Sequence, residues 1–156
     1  MEPQNIPLEL MVRSQWVAWR FDQMPDEPKP RKVPYNPRSG LRASVADPMT
    51  WGSFGEAYGM VEAGKAVGTG FVLTAGDPFA CIDLDACIGP DGALSPLALA
   101  IVTRFASYTE YSPSGHGLHI WIKGAMPGGV GRNNRELGIE AYSESRFVTV
   151  TGRVLK

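Results

Sequence analysis

The sequence predicts an α+β fold: mainly antiparallel mixed sheet with flanking helices. Three observations predict it. Most of the strongly patterned segments are short, apolar and rich in β-branched or aromatic residues, which suits strands. Only two segments carry the start signals of a helix. The 18 glycines and 13 prolines mostly punctuate these segments rather than interrupt them.

Trp16 to Phe21 (WVAWRF) reads as the first strand. The MPDEPKPRK stretch that follows reads as a loop, because proline gives a ladder no donor, and residues 34–48 continue turn-rich and polar. Ser53 with Glu56 forms a capping box, in which hydroxyl and carboxylate each satisfy an orphan amide; a helix from about Phe54 to Ala63 follows, closed by Gly64. Gly70 to Thr74, a turn at Ala75-Gly76-Asp77-Pro78 and Phe79 to about Asp85 read as a hairpin. Ser95 then Pro96 is a cap with a first-turn proline, opening an apolar helix from Leu97 to about Ser107. Strands at Tyr108–Ser112 and Leu118–Lys123, then a strand pair at Gly138–Tyr142 and Arg146–Thr151, complete the chain. Hairpin-like connections favour one mainly antiparallel sheet with the helices on one face.

The 156 residues read as a single domain, 1–156, and a chain of this size buries about two-thirds of its unfolded surface without disulfide or metal support. Two cysteines, Cys81 and Cys87, build neither a disulfide framework nor a four-ligand zinc site. No apolar run reaches the roughly 18 residues of a membrane span, and the N-terminus lacks a signal-peptide layout, so the expectation is a cytoplasmic protein with no membrane partner. The net charge of -1 looks unlike a nucleic-acid binder until it is divided. Residues 45–95 hold 1 basic and 7 acidic groups, residues 1–44 hold 7 and 5, and residues 96–156 hold 7 and 4. Modest basic surfaces around an acidic centre predict weak, salt-sensitive binding to DNA.

Three segments carry chemistry. In Ala80-Cys81-Ile82-Asp83-Leu84-Asp85, the two acids at i and i+2 share one face of a strand while Ile82 and Leu84 take the other. Ionised carboxylates on a half-buried face are costly unless cations neutralise them, and hard oxygen donors suit Mg²⁺ or Mn²⁺; a solvent-facing strand end is the alternative. In Ser112-Pro113-Ser114-Gly115-His116-Gly117-Leu118-His119, glycines flanking a small hydroxyl let amides approach an anion, and His119 could donate to a phosphate oxygen or serve as a structural histidine. In the third segment Glu140 lies amid apolar strand residues, with Arg146 opening the next strand. Three carboxylates beside a triphosphate-binding loop is the arrangement that two-metal nucleotidyl transfer needs.

Taken in order, these segments resemble the primase-polymerase catalytic domain of the archaeo-eukaryotic primase superfamily, in its phage and plasmid branch. The pattern is a D-x-D strand (Asp83, Asp85), an S-G-x-G-x-H turn and strand (Ser114 to His119), and an acid-bearing strand (Glu140). Trp16 to Trp19, Lys32-Val33-Pro34-Tyr35-Asn36-Pro37, Ser39-Gly40, Ala43-Ser44, Asp47-Pro48 and Trp51 look like the lead-in of phage replication polymerases of this type.

The resemblance implies an RRM-like primase core and template-directed addition of nucleoside triphosphates to a 3'-hydroxyl on single-stranded DNA, as primase, polymerase or both. It implies two divalent ions, Mg²⁺ or Mn²⁺, on Asp83, Asp85 and Glu140, and nucleotide phosphates on His119, Ser114, Gly115 and Gly117, with Lys123 and Arg146 as further phosphate candidates. Lys32, Arg42, Arg132 and Arg135 are candidates for template or DNA contact. The partners implied are a template and primer, NTPs or dNTPs, and on a longer chain a C-terminal helical domain and a helicase, the protein itself acting as a monomer in a bacterial or host cell. Two rivals stand beside this. A metal-dependent nuclease would use the same acids to activate water but has no need of the Ser-Gly-x-Gly-x-His loop. A non-catalytic RRM-like nucleic-acid-binding module would stack bases on Trp and Tyr but has no use for three half-buried acids.

Overall fold

The structure is a computed structural model and describes residues 1–127 and 131–156. In chain order its principal elements are α1 (Leu8–Met11), β1 (Trp16–Asp22), β2 (Arg31–Tyr35), α2 (Phe54–Glu62), β3 (Gly68–Leu73), β4 (Phe79–Leu84), α3 (Pro96–Phe105), β5 (Thr109–Tyr111), β6 (Leu118–Lys123), β7 (Arg132–Asn134), β8 (Ile139–Tyr142) and β9 (Arg146–Val150). The α+β class holds, with antiparallel pairing throughout the registered ladders. The strands form two sheets, ordered β2-β1-β3-β9 and β5-β6-β4-β8-β7. The chain divides into two compact units, one of Ile6–Val72 with Phe147–Val150 and the other of Met1–Asn5, Leu73–Arg146 and Thr151–Lys156.

In the first of these units Trp16 is fully buried on β1, edge-to-face with Phe54 of α2 at 4.9 Å between ring centroids, and its indole N–H donates to Leu10 O. Val17 points the other way and packs with Trp51 and Val72. The capping box of α2 forms as its sequence dictates: Glu56 N–H donates to Ser53 Oγ, and Ser53 N–H donates to the Glu56 carboxylate. The Ser53 amide, helped by the Ser53 hydroxyl, holds the Glu56 carboxyl below its ordinary range. Gly64 adopts φ +67°, the left-handed conformation expected where α2 stops. Residues 31–35, expected as loop, are instead the strand β2. It is an edge strand, where Pro34 sacrifices no ladder bond in the sheet interior.

In the other unit one face of the five-stranded sheet is apolar. Ile82, Leu84, Leu118 and Ile120 form its centre, with Ile139 and Ala141 alongside, and Ala98, Ile101 and Val102 of α3 cover it. Burying each Leu or Ile contributes roughly 1.5–3 kcal/mol, so this layer fixes which residues are left for the opposite face. Ser95 caps α3 by accepting from Ala98 N–H, ahead of the first-turn Pro96.

Both hairpins expected around these strands are corrected. β3 and β4 belong to different sheets, as do β8 and β9. All six residues of β3 are buried, so it is an interior strand needing neighbours on both edges, while the interior strand β4 pairs with β6 and β8. The turn between β3 and β4 is closed by a side chain: Asp77 accepts from the amide and hydroxyl of Thr74 and from Phe79 N–H. The polar segment Arg132–Asn134, outside the strands expected from the sequence, supplies the edge strand β7.

Candidate active site

The face of the five-stranded sheet opposite α3 carries the chemistry, and the hydrogen-bond register arranges it. Reading across the strands, Glu110 of β5 faces His119 of β6, His119 faces Asp83 of β4, Asp83 faces Glu140 of β8, and Glu140 faces Asn133 of β7. Five residues from five strands thus occupy one rung. Facing residues in antiparallel strands hold their Cβ atoms about 5 Å apart, so these groups are neighbours by construction. Asp85 lies two residues past Asp83, just beyond the end of β4, and its N–H donates to Gly138 O.

Packing at the Asp85 end depends on two glycines. A Cβ at Gly117 would stand 2.6 Å from Leu84 O, so only glycine lets β6 enter beside β4 there. Gly138 adopts φ +63°, and a Cβ on it would meet Asp85 O at 3.0 Å.

Glu140 is held from two sides. Asn133 donates its amide to Oε1 at 2.5 Å, the Tyr142 hydroxyl donates to Oε2 at 2.5 Å, and the Arg146 guanidinium lies 3.6 Å from Oε2 while covering the Tyr142 ring. Burial, then the bond to Glu140, pushes the Tyr142 hydroxyl up to about 12. Asp83 and Glu140 present hard oxygen donors on one face, with Asp85 in the turn beyond β4, and each carboxylate oxygen of Glu140 keeps lone-pair capacity beyond its single hydrogen bond. Donors of this chemistry suit a hard divalent cation in general, and Asn133 and Tyr142 hold Glu140 in one orientation. Among the described residues no group of three or more His, Cys, Asp or Glu is gathered closely enough to hold a metal ion.

His119 is 2% exposed and lies between two carboxylates, with Nε2 3.7 Å from Asp83 Oδ1 and Nδ1 3.6 Å from Glu110 Oε1. Glu110 is fully buried, and its Oε2 accepts from Tyr108 hydroxyl, Thr151 N–H, Thr151 hydroxyl and Gly152 N–H. Sequence reasoning missed Glu110, Asn133 and Tyr142 as parts of the site. A usable signal for Glu110 was an acid in the middle of an expected strand, flanked by Thr109 and Tyr111.

The glycine-rich turn is more closed than its composition suggests. Gly115 N–H donates to Ser112 O, the Ser112 and Ser114 hydroxyls lie 3.0 Å apart, and Ser114 Oγ accepts from His116 N–H. The amides of Gly115 and His116 therefore close the turn itself. The basic candidates separate. Arg135 lines a cleft of about 440 Å³ together with Asp85 and Glu140. Arg146 reaches Glu140. Arg132 is in register with Ala141, so its side chain leaves on the α3 face, away from the rung. Lys123 is four residues along β6 from His119, about 13 Å at the rise of a strand. In the other unit, Lys32 lies over the Trp19 ring, and Arg42 is paired with Asp22 at 2.6 Å.

No known family profile matches the chain. Over 146 residues it is 38% identical to the DNA primase-polymerase of Nitratiruptor phage NrS-1. The chain is similar to part of a phage DNA primase-polymerase. The similarity covers 90% of this chain and 19% of the phage protein, so the chain spans a minor part of its relative's length. The resemblance read from the ordered motifs is met by this relative. Among the described residues no helix is long and apolar enough to cross a membrane.

Proposed function

We propose that the chain, as one catalytic domain over residues 1–156, is a template-directed nucleotidyltransferase that adds nucleoside triphosphates to a primer 3'-hydroxyl on single-stranded DNA in phage or plasmid replication. The observation that carries this reading is the rung in which His119, Asp83 and Glu140 follow one another across three adjacent strands. Similarity to a phage protein of that name supports it.

Asp83, Asp85 and Glu140 would hold two divalent ions, Mg²⁺ or Mn²⁺, whose chemistry is to acidify the attacking hydroxyl and neutralise charge on the departing pyrophosphate. Phosphoryl transfer asks a protein mainly for positioning and charge stabilisation. Here the chain supplies both. The β4–β6–β8 ladder fixes the spacing of the acids, Tyr142 and Asn133 hold Glu140 in one orientation, and His119 presents Nε2 beside Asp83, where a phosphate oxygen would sit. Arg146 and Arg135 are placed to contact a polyanion entering from the Glu140 side. Ser114, exposed in the turn, would contact phosphate through its hydroxyl, with Gly115 and Gly117 letting the chain come close to it. Lys32 and Arg42 would meet template from the other unit. On a longer replication protein this domain would act as a monomer beside a helical domain and a helicase, in the cytoplasm of the host.

The test is primer extension on a DNA template with Mg²⁺ or Mn²⁺. Incorporation is expected from the intact chain and none from a chain carrying Asp83→Ala with Asp85→Ala; undiminished incorporation by that double variant would sink the proposal.

A further inference from the structure

The buried carboxylate of Glu110 is not used by the chemistry above, yet it adjoins it. Among the described residues, Glu110 Oε1 and His119 Nδ1 are buried side-chain atoms without a hydrogen-bond partner, and they face each other at 3.6 Å. Two orphaned buried polar atoms of complementary type, in register on adjacent strands, need a closure of only a few tenths of an ångström to satisfy one another. The other oxygen, Oε2, accepts from four donors on Tyr108, Thr151 and Gly152, which fixes the carboxylate plane and aims Oε1 at the ring.

We propose that Glu110 is a positioning residue for His119: its Oε1 accepts a hydrogen bond from His119 Nδ1–H and so sets the ring with Nε2 toward Asp83. A histidine whose far nitrogen is bound to a carboxylate has its ring orientation and tautomer determined by that bond. This extends the assignment of His119 to nucleotide phosphate, on which its kinetic consequence rests.

Glu110→Gln is an informative variant because Oε2 is surrounded by donors. The amide oxygen must stay on that side, which turns the amide NH₂ toward His119 Nδ1 and makes a proton there unfavourable. The anchor to Thr151 and Gly152 is kept. The chain has two histidines, and His116 is exposed, so proton–nitrogen spectra of the ¹⁵N-histidine-labelled protein resolve the question. Nδ1 of His119 is expected to carry a proton in the intact chain and to lose it in Glu110→Gln, while Tyr108→Phe, which removes one donor from Oε2 only, leaves it in place. In primer extension, Glu110→Gln is expected to change the KM for nucleotide more than kcat, because it alters the tautomer and so the proton that Nε2 presents to a phosphate oxygen. An unprotonated Nδ1 in the intact chain overturns the proposal without any variant, as do unchanged His119 nitrogens in folded Glu110→Gln. Nitrogen shifts as expected, with nucleotide KM unchanged in both Glu110→Gln and His119→Ala, would uphold the Glu110 role and overturn the phosphate role of His119.

Discussion

The molecule contains the same small assembly twice, in two different settings. In the unit built around β1, Asp22 accepts from the Tyr35 hydroxyl, pairs with Arg42 at 2.6 Å, and Arg20 covers the Tyr35 ring at 4.2 Å. In the other unit, Glu140 accepts from the Tyr142 hydroxyl, lies 3.6 Å from Arg146, and Arg146 covers the Tyr142 ring at 4.7 Å. What differs is the next residue across the ladder. Asp22 faces Arg31, itself bound to Glu27, and its charge is balanced locally by Arg42 and Arg20. Glu140 faces Asp83, another acid, with Asp85 a short distance beyond. An acid with a tyrosine and an arginine is therefore a structural clasp where its neighbours are cationic. It becomes a candidate ligand where they are anionic, because the surplus charge is relieved only by something bound.

The comparison breaks most visibly in catalysis. Asp83→Ala with Asp85→Ala is expected to lower nucleotide incorporation by roughly 10³-fold or more, the scale on which loss of charge stabilisation at a transferring phosphoryl group is felt. Asp22→Asn, which disturbs the matching clasp, should leave incorporation unchanged in the same primer-extension assay. Equal losses from the two would erase the distinction. Removing the tyrosine hydroxyls sharpens it further. Tyr142→Phe releases one side of Glu140 and should weaken Mn²⁺ binding by about tenfold, as loss of a ligand-orienting partner does, whereas Tyr35→Phe should not alter Mn²⁺ binding measured by paramagnetic relaxation of water.

The clasp at Asp22 should instead reveal itself in acid. Bonds from Tyr35, then from Arg42, hold the Asp22 carboxyl below its ordinary value of 3.8. A depressed folded-state value stabilises the fold above the ordinary value, and that contribution disappears as pH falls below 3.8 through the lower folded value. Tyr35→Phe removes the larger cause, so its denaturation midpoint should fall less between pH 5 and pH 3 than that of the intact chain; an identical fall would refute the assignment. The smallest effect concerns Arg146. Its pair with Glu140 is long and half exposed, and Arg146→Ala should change unfolding free energy by only about 0.5 kcal/mol in urea titration. A loss several times larger would mean that Arg146 is part of the core rather than the site.

Much of the site was legible because strands alternate with period two. Asp83 had to lie opposite Ile82 and Leu84, and His119 followed the same rule within Leu118–Lys123, whereas Asp85 falls in the turn after β4. The strand order was not legible. Nothing local in Gly68–Leu73 or Arg146–Val150 says that these segments leave their sequence neighbours for another sheet; full burial of β3 decides that, and burial is a property of the whole chain. Pro34 misled for a related reason, since proline excludes an interior strand and not an edge. Glu110 escaped because its meaning lies in a residue nine positions away, opposite it only once β5 and β6 pair.

The rung of Glu110, His119, Asp83, Glu140 and Asn133 also makes the sheet a reading frame for chemistry. A single inserted residue within Leu118–Lys123 would shift every later side chain to the other face, sending Ile120 among the acids and His119 beneath α3. Substitutions along these strands can therefore be graded in their consequences, but length changes cannot. Variation in chain length should be confined to the turns, and any recombination of this domain with a relative should keep its crossovers outside residues 79–84, 118–123 and 139–142.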